Sequence, residues 1–136
     1  MDFAEISEGT MVVNKEILFS EDNIIRFLSV SGGNIANYIS EEERHLVPPT
    51  LMAAKALGTM LGTTGIPRGT LHTSQRIEYL REVSSDSTLT MQATVAKNKK
   101  RAGARFLTIE ITLLNLKGDK VLFASSGLVI RSENYK

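Results

Sequence analysis

Pro48-Pro-Thr-Leu-Met-Ala-Ala-Lys-Ala-Leu-Gly-Thr-Met-Leu-Gly62 is the stretch on which the reading of this chain turns. Proline suits the start of a helix, where its missing N–H is not needed. The residues that follow are apolar on nearly every side, and Lys55 is their only charge. Such a helix has to be wrapped over most of its surface. The sequence downstream supplies the wrapping. Leu71 to Val83 reads as a strand. Leu89, Met91, Ala93 and Val95 alternate with Thr88, Thr90, Gln92 and Thr94. Leu107, Ile109, Ile111 and Leu113 alternate with Thr108, Glu110 and Thr112. Leu116-Lys-Gly-Asp119 is a hairpin turn before a last strand, Val121 to Arg131. Period-two strands on short connections predict an antiparallel sheet.

Upstream, Thr10 to Phe19 reads as an irregular strand. Ser20 precedes Glu21 and Asp22, an N-cap followed by acids that complement the helix dipole. Ile24, Phe27 and Leu28 recur at helical spacing, and Gly32-Gly33 stops the helix. On this reading Gly33 is its C′ residue, a position that favours glycine. Ile35 to His45, with its polar Glu41-Glu42-Glu43-Arg44 run, predicts a short helical or irregular segment with a solvated face. The order is strand, helix, buried helix, then four strands. The simplest packing is α+β, one domain over residues 1–136, its long antiparallel sheet curled around the central helix. This is the hot-dog arrangement.

Composition narrows the function. The 136 residues are 42% hydrophobic, ordinary for a single globular domain. No apolar run approaches the ~18 residues that cross a bilayer, and Met1-Asp-Phe-Ala-Glu5 carries no signal pattern. The absence of cysteine removes disulfides, thiolate metal sites and Cys nucleophiles, and makes a reducing cytoplasm the natural expectation. A net charge of +1 with interspersed signs argues against a nucleic-acid binder. His45 and His72 are the only imidazoles, without metal-ligand spacing.

Several motifs carry a resemblance. Val47-Pro-Pro-Thr-Leu51 resembles the Ala-Pro-Pro-Thr-Phe signature that opens the central helix in the N-terminal halves of MaoC-like dehydratases. Gly69-Thr-Leu-His-Thr-Ser-Gln-Arg-Ile-Glu-Tyr-Leu-Arg-Glu-Val83 resembles the strand that follows it. Ser85-Asp-Ser-Thr-Leu89 stands where the family often has Val-Gly-Asp-Thr-Leu, and Leu116 to Val121 looks like its last hairpin. The resemblance covers nearly the whole chain. It implies the hot-dog fold, acyl thioesters of coenzyme A or acyl carrier protein as ligands, no separate cofactor, and hydration of a trans-2-enoyl thioester or the reverse.

The resemblance also exposes a departure. Catalytic members carry Asp-x-Asn-Pro-x-His before the central helix, because attacking water must lose a proton while C2 gains one. The matching stretch here is Ser31-Gly-Gly-Asn-Ile-Ala-Asn-Tyr-Ile39. Without a gap, the Asp position falls on Gly33, the Asn on Ile35, the Pro on Ala36 and the His on Tyr38. Glycine cannot ionise, and a phenol with an unperturbed pKa near ~10 is a poor base at neutral pH. No confident catalytic residue remains. Tyr38 either packs or lines an acyl tunnel. His72 either faces a thioester or hydrogen-bonds backbone across the sheet. Thr50, Gln75 and Arg76 join Tyr38 and His72 as ligand-contact candidates. In particular, Tyr38, Thr50 and His72 are expected to gather over the start of the central helix, where free N–H groups can meet a thioester oxygen. Lys97 to Arg105 is a basic hairpin tip, either solvated or positioned for phosphates; His45 is expected at the surface.

Three functions follow from this. The first is a non-catalytic subunit of an (R)-specific enoyl-thioester hydratase, as a homodimer or beside a catalytic hot-dog chain. The second is a stand-alone hydratase with altered groups such as His72 and Glu78. The third is an acyl-CoA-sensing binding protein. A thioesterase is disfavoured because Pro49 to Gly62 contains no carboxylate.

Overall fold

The computed structural model describes residues 2–33 and 45–131. A 3-10 turn, Phe3–Glu5, precedes β1 (Thr10–Phe19), α1 (Glu21–Ser31), α2 (Pro49–Thr64), β2 (Leu71–Tyr79), β3 (Ser87–Arg101), β4 (Ala104–Leu114) and β5 (Lys120–Arg131). The strands form one five-stranded sheet, β1-β3-β4-β5-β2, with every neighbouring pair antiparallel. This is the α+β hot-dog arrangement that the sequence predicts.

The alternation in β3, β4 and β5 is what makes the sheet one-sided. Leu89, Met91, Ala93 and Val95, then Leu107 to Leu113, then Leu122 to Ile130 bury every second side chain. Against that face α2 buries Leu51, Met52, Ala53, Ala56, Met60 and Thr64. Each large side chain so buried stabilises by roughly 1.5–3 kcal/mol. The wrap is less complete than the helix's apolarity predicts. Ala54, Gly58 and Gly62, four residues apart, remain exposed. They are small, so their exposure leaves little apolar area in water.

Lys55, the one charge on α2, finds partners. Its Nζ donates to the Leu18 carbonyl and, at 2.8 Å, to Asn23 Oδ1, and lies 5.2 Å from the centre of the Phe19 ring. Asn23 also completes the start of α1. Its amide donates to Ser20 Oγ at 3.2 Å, and its Oδ1 accepts from the Ser20 N–H at 3.4 Å. One amide thus fastens β1, α1 and α2 together.

Two details correct the sequence reading. The left-handed residue that ends α1 is Gly32, at φ 79°, and not Gly33. A Cβ at Gly33 would lie 2.6 Å from Leu28 Cδ2, and that methyl group would have to turn aside. In addition, β2 stops at Tyr79 and not at Val83, because Leu80 and Arg81 both donate their amides to the Val121 carbonyl, at 3.0 and 3.3 Å. That shared acceptor ends the regular ladder.

The β3–β4 connection is a two-residue turn, Ala102-Gly103, with φ of 49° and 76°. Both positions need positive φ, and a type I′ turn prefers asparagine at the first. Ala102→Asn is expected to stabilise the fold by about 0.5–1 kcal/mol, read as an upward shift in thermal midpoint. An unchanged or lower midpoint would show that this turn does not limit stability.

Candidate functional site

The two ends of the sheet carry different chemistry. One end gathers the end of β1 and the start of β3, paired through Phe19 and Ser87, with Tyr79 and the β4–β5 turn. α2 starts here, since Leu46 bridges to Ser84 and the Val47 amide donates to Val83 O at 2.8 Å. The other end gathers the start of β2, the end of β5 and the β3–β4 turn. α2 finishes here, because only residues 65–70 separate it from β2.

This topology separates residues that the sequence reading placed together. Thr50 is exposed in the first turn of α2. His72 opens into a cleft of about 280 Å3 at the opposite end, walled by Leu57, Leu61, Ile66 and Leu128, with Arg68 and Thr70 beside it. Thr50 is not part of that cleft. Thr50 and Leu61 are eleven residues apart, about 16 Å along a helix axis. The expectation that Thr50 and His72 meet over the helix start is therefore not met. Tyr38 lies outside the described residues.

Gln75 and Arg76 are exposed on β2 and point to opposite faces. Gln75 stands opposite Ser126, on the face that packs on α2, and Arg76 opposite Ser125, on the other. The Ser126 hydroxyl is fully buried and without a hydrogen-bond partner among the described residues. The sequence reading passed over it, although Ser125-Ser126-Gly127 interrupts an otherwise apolar strand. Gly127 is needed there, because a Cβ would run into the Ser74 hydroxyl where β2 bulges.

The basic hairpin is partly committed to the N-terminal turn. Asn98 Nδ2 donates to the carbonyls of Phe3 at 2.7 Å and Ile6 at 2.9 Å. Its backbone N–H donates to Glu8 at 2.8 Å, and Lys99 pairs with Glu8 at 3.2 Å. Those two donors, the Asn98 amide first, hold the Glu8 carboxyl below its usual range. Lys97 and Lys100 remain exposed, at the same end of the sheet as His72. His45 is half-buried and its Nδ1 contacts the Glu21 carboxylate, so it fastens the return of the chain to α1. Burial, and then Glu82, raise the Tyr79 phenol above its usual pKa, which leaves it protonated at neutral pH.

A second, larger cleft of about 670 Å3, lined by both polar and apolar residues, lies at the α2-start end, between residues 81–89 and the β4–β5 turn. No group of His, Asp or Glu among the described residues is arranged to hold a metal ion. No described helix is long and apolar enough to cross a membrane.

Residues 9–123 match the family model described as FAS1-like, dehydratase domain region. Among solved structures, the chain is similar to the HadBC (3R)-hydroxyacyl-ACP dehydratase complex of Mycobacterium tuberculosis. Identity is 17%, TM-score 0.74, and coverage 90% of this chain and 96% of that one. It is similar to the R-hydratase PhaJ1 of Pseudomonas aeruginosa at 17% identity and TM-score 0.76, covering 96% and 85%. The MaoC-like dehydratase of Rhodospirillum rubrum matches at 13% identity and TM-score 0.76, covering 96% and 97%. At these identities the likeness speaks for the fold. Comparison with curated proteins finds no match.

Proposed function

Because the chain belongs to the FAS1-like dehydratase-region family of MaoC-like hot-dog proteins, we propose that it is an acyl-thioester-binding subunit of an (R)-specific enoyl-thioester hydratase or dehydratase. It does not itself perform the proton transfers. The observation that carries this reading is Gly33, which stands where the family's aspartate would and has no ionisable group.

Binding has two supports. The His72 cleft offers apolar walls for a chain of methylenes. At the far end, Pro48 provides no side-chain cap to α2, and among the described residues no side chain caps the helix start, where first-turn amides can meet a thioester oxygen. Ligand would come as acyl-CoA or acyl carrier protein. Hydration chemistry in such an assembly is contributed by a chain that carries the aspartate and histidine.

Calorimetry with decanoyl-CoA tests this. The protein is expected to bind it, and Leu61→Trp, at a half-buried wall of the cleft, is expected to weaken binding about tenfold or more by filling the space. No binding by the unaltered protein would reduce its role to a scaffold. Equal binding by both would place the acyl chain elsewhere.

A further inference from the structure

The face of the sheet turned away from α2 is polar along much of β3 and β4, with Thr88, Thr90, Gln92, Thr94, Thr108 and Thr112. At the end that carries the β3–β4 turn it changes character. The register sets Leu71 of β2 opposite Val129 of β5, Val129 opposite Phe106 of β4, and Phe106 opposite Lys99 of β3. Facing residues of an antiparallel ladder share a face, and the neighbours Leu128 and Leu107 are buried on the α2 side. Leu71, Val129 and Phe106 thus form an apolar row across three strands on the outer face. Leu71 is 48% and Phe106 42% exposed.

Cations flank this row on both sides. One row nearer the turn, Arg101 and Arg131 stand on either side of Ala104. The Arg101 guanidinium lies 5.9 Å from the centre of the Phe106 ring. One row nearer the middle of the sheet, Lys97 stands opposite Thr108, and Lys99 ends the apolar row itself. All four cations are exposed. Among the described residues only Lys99 of the four forms an ion pair with a carboxylate, that of Glu8 at 3.2 Å. The next carboxylate on this face along β4 is Glu110, four residues from Phe106 and about 13 Å along the strand.

We infer that this face docks an acidic amphipathic helix of another protein. Charge selects the sign of the partner, and spacing selects its shape. From β4 to β2 the apolar row covers two strand gaps, about 10 Å. Side chains at positions i and i+7 of a helix lie about 10.5 Å apart along its axis, with i+4 between them on the same face. A helix laid across the strands therefore sets three apolar residues on Leu71, Val129 and Phe106. Its acidic flanks come over Arg101 and Arg131 on one side and Lys97 on the other. Laid along the strands, the same helix leaves the apolar row within a turn and meets Glu110. A second copy of this chain using the same face would bring cations against cations, so the partner is a different protein. An aromatic centre with arginine at its side is the composition that carries binding energy at protein interfaces. The face is opposite the one that holds α2 and the His72 cleft, so the inference stands apart from the acyl-binding reading.

The probe is a designed peptide of about 20 residues, long enough to be helical, with leucines at i, i+4 and i+7 and glutamates on both flanks of that stripe. Fluorescence anisotropy with the whole protein is expected to show binding that strengthens as salt is lowered. A peptide with lysine in place of every glutamate is expected to bind about tenfold more weakly or worse. Arg101→Glu combined with Arg131→Glu, both at exposed positions, is expected to weaken the acidic peptide about tenfold or more and to favour the lysine peptide. Phe106→Ser reads the apolar row and is expected to weaken the acidic peptide by about tenfold. Leu18→Ser, an exposed residue of β1 at the other end of the sheet, is expected to leave binding unchanged. Equal binding of the two peptides, no binding of the acidic one, or binding indifferent to the charge and Phe106 variants would overturn the inference. So would tighter binding, lost in the same variants, to phosphatidylglycerol vesicles or to a DNA duplex, which would make the face a lipid or nucleic-acid surface. Decanoyl-CoA calorimetry on the same samples reads acyl binding separately.

Discussion

Purified protein is expected to hydrate crotonyl-CoA at least roughly 10^2–10^4-fold more slowly than a hydratase carrying aspartate and histidine at the positions of Gly33 and Tyr38. The magnitude follows from what a positioned acid–base group contributes to proton transfer. Among the described residues, the remaining groups do not replace it. His72 opens into an apolar cleft at the end of the sheet opposite the start of α2. Tyr79 is held protonated by burial and by Glu82. Glu78 points away from α2 and is engaged by Arg76. The measurement is initial-rate loss of the enoyl absorbance with pure protein. Robust turnover abolished by His72→Ala would instead establish a stand-alone hydratase built on a different group.

The largest effect on stability is expected at Phe19. Its side chain is fully buried, and the residue sits where β1 hands over to α1. Lys55 lies over the ring at 5.2 Å. The Phe19 carbonyl accepts the Asp86 amide at 2.8 Å. Phe19→Ala is expected to cost about 3–5 kcal/mol, from lost transfer energy and the cavity left behind. A domain of this size is commonly stable by only about 5–15 kcal/mol. The variant should therefore unfold at markedly lower urea concentration with an unchanged slope. A loss below about 1 kcal/mol would mean that the surrounding side chains collapse into the gap.

The parts of the fold that were legible are those in which one physical pattern dominates. Leu89 to Val95 and Leu107 to Leu113 keep a strict period of two because one face is buried and the other is not. The apolarity of Pro49 to Gly62 was readable because it has one partner, the sheet. Adjacent alternatives were not readable. Gly32 and Gly33 are equally able to adopt positive φ, and only the structure shows that Gly32 takes the left-handed position. The end of β2 depends on a carbonyl of β5, more than forty residues away, which local pattern does not contain.

The candidate site was less legible, for a reason that is partly topological. Thr50 and His72 were expected together because the short connection through Pro48-Pro49 reads as gathering neighbouring groups over the start of the central helix. A strand that starts six residues after a helix nevertheless begins beside that helix's C-terminal end. The sequence therefore held the signal that separates Thr50 from His72. Ser126 gave a weaker signal. A serine in an apolar alternation can be read as an exposed residue out of phase, and only the ladder shows it on the buried face opposite Gln75.

The strand order β1-β3-β4-β5-β2 has a consequence for synthesis on the ribosome. β2 is made before β3 and β4, yet its partner in the sheet is β5, the last strand to emerge. Until residues 120–131 have left the exit tunnel, β2 has no neighbour and the apolar face of α2 lacks part of its cover. At about 5–20 residues per second, the interval is a few seconds. Throughout it, Met52, Met60 and the Leu71–Tyr79 strand are accessible together, a nascent state suited to capture by a holdase chaperone.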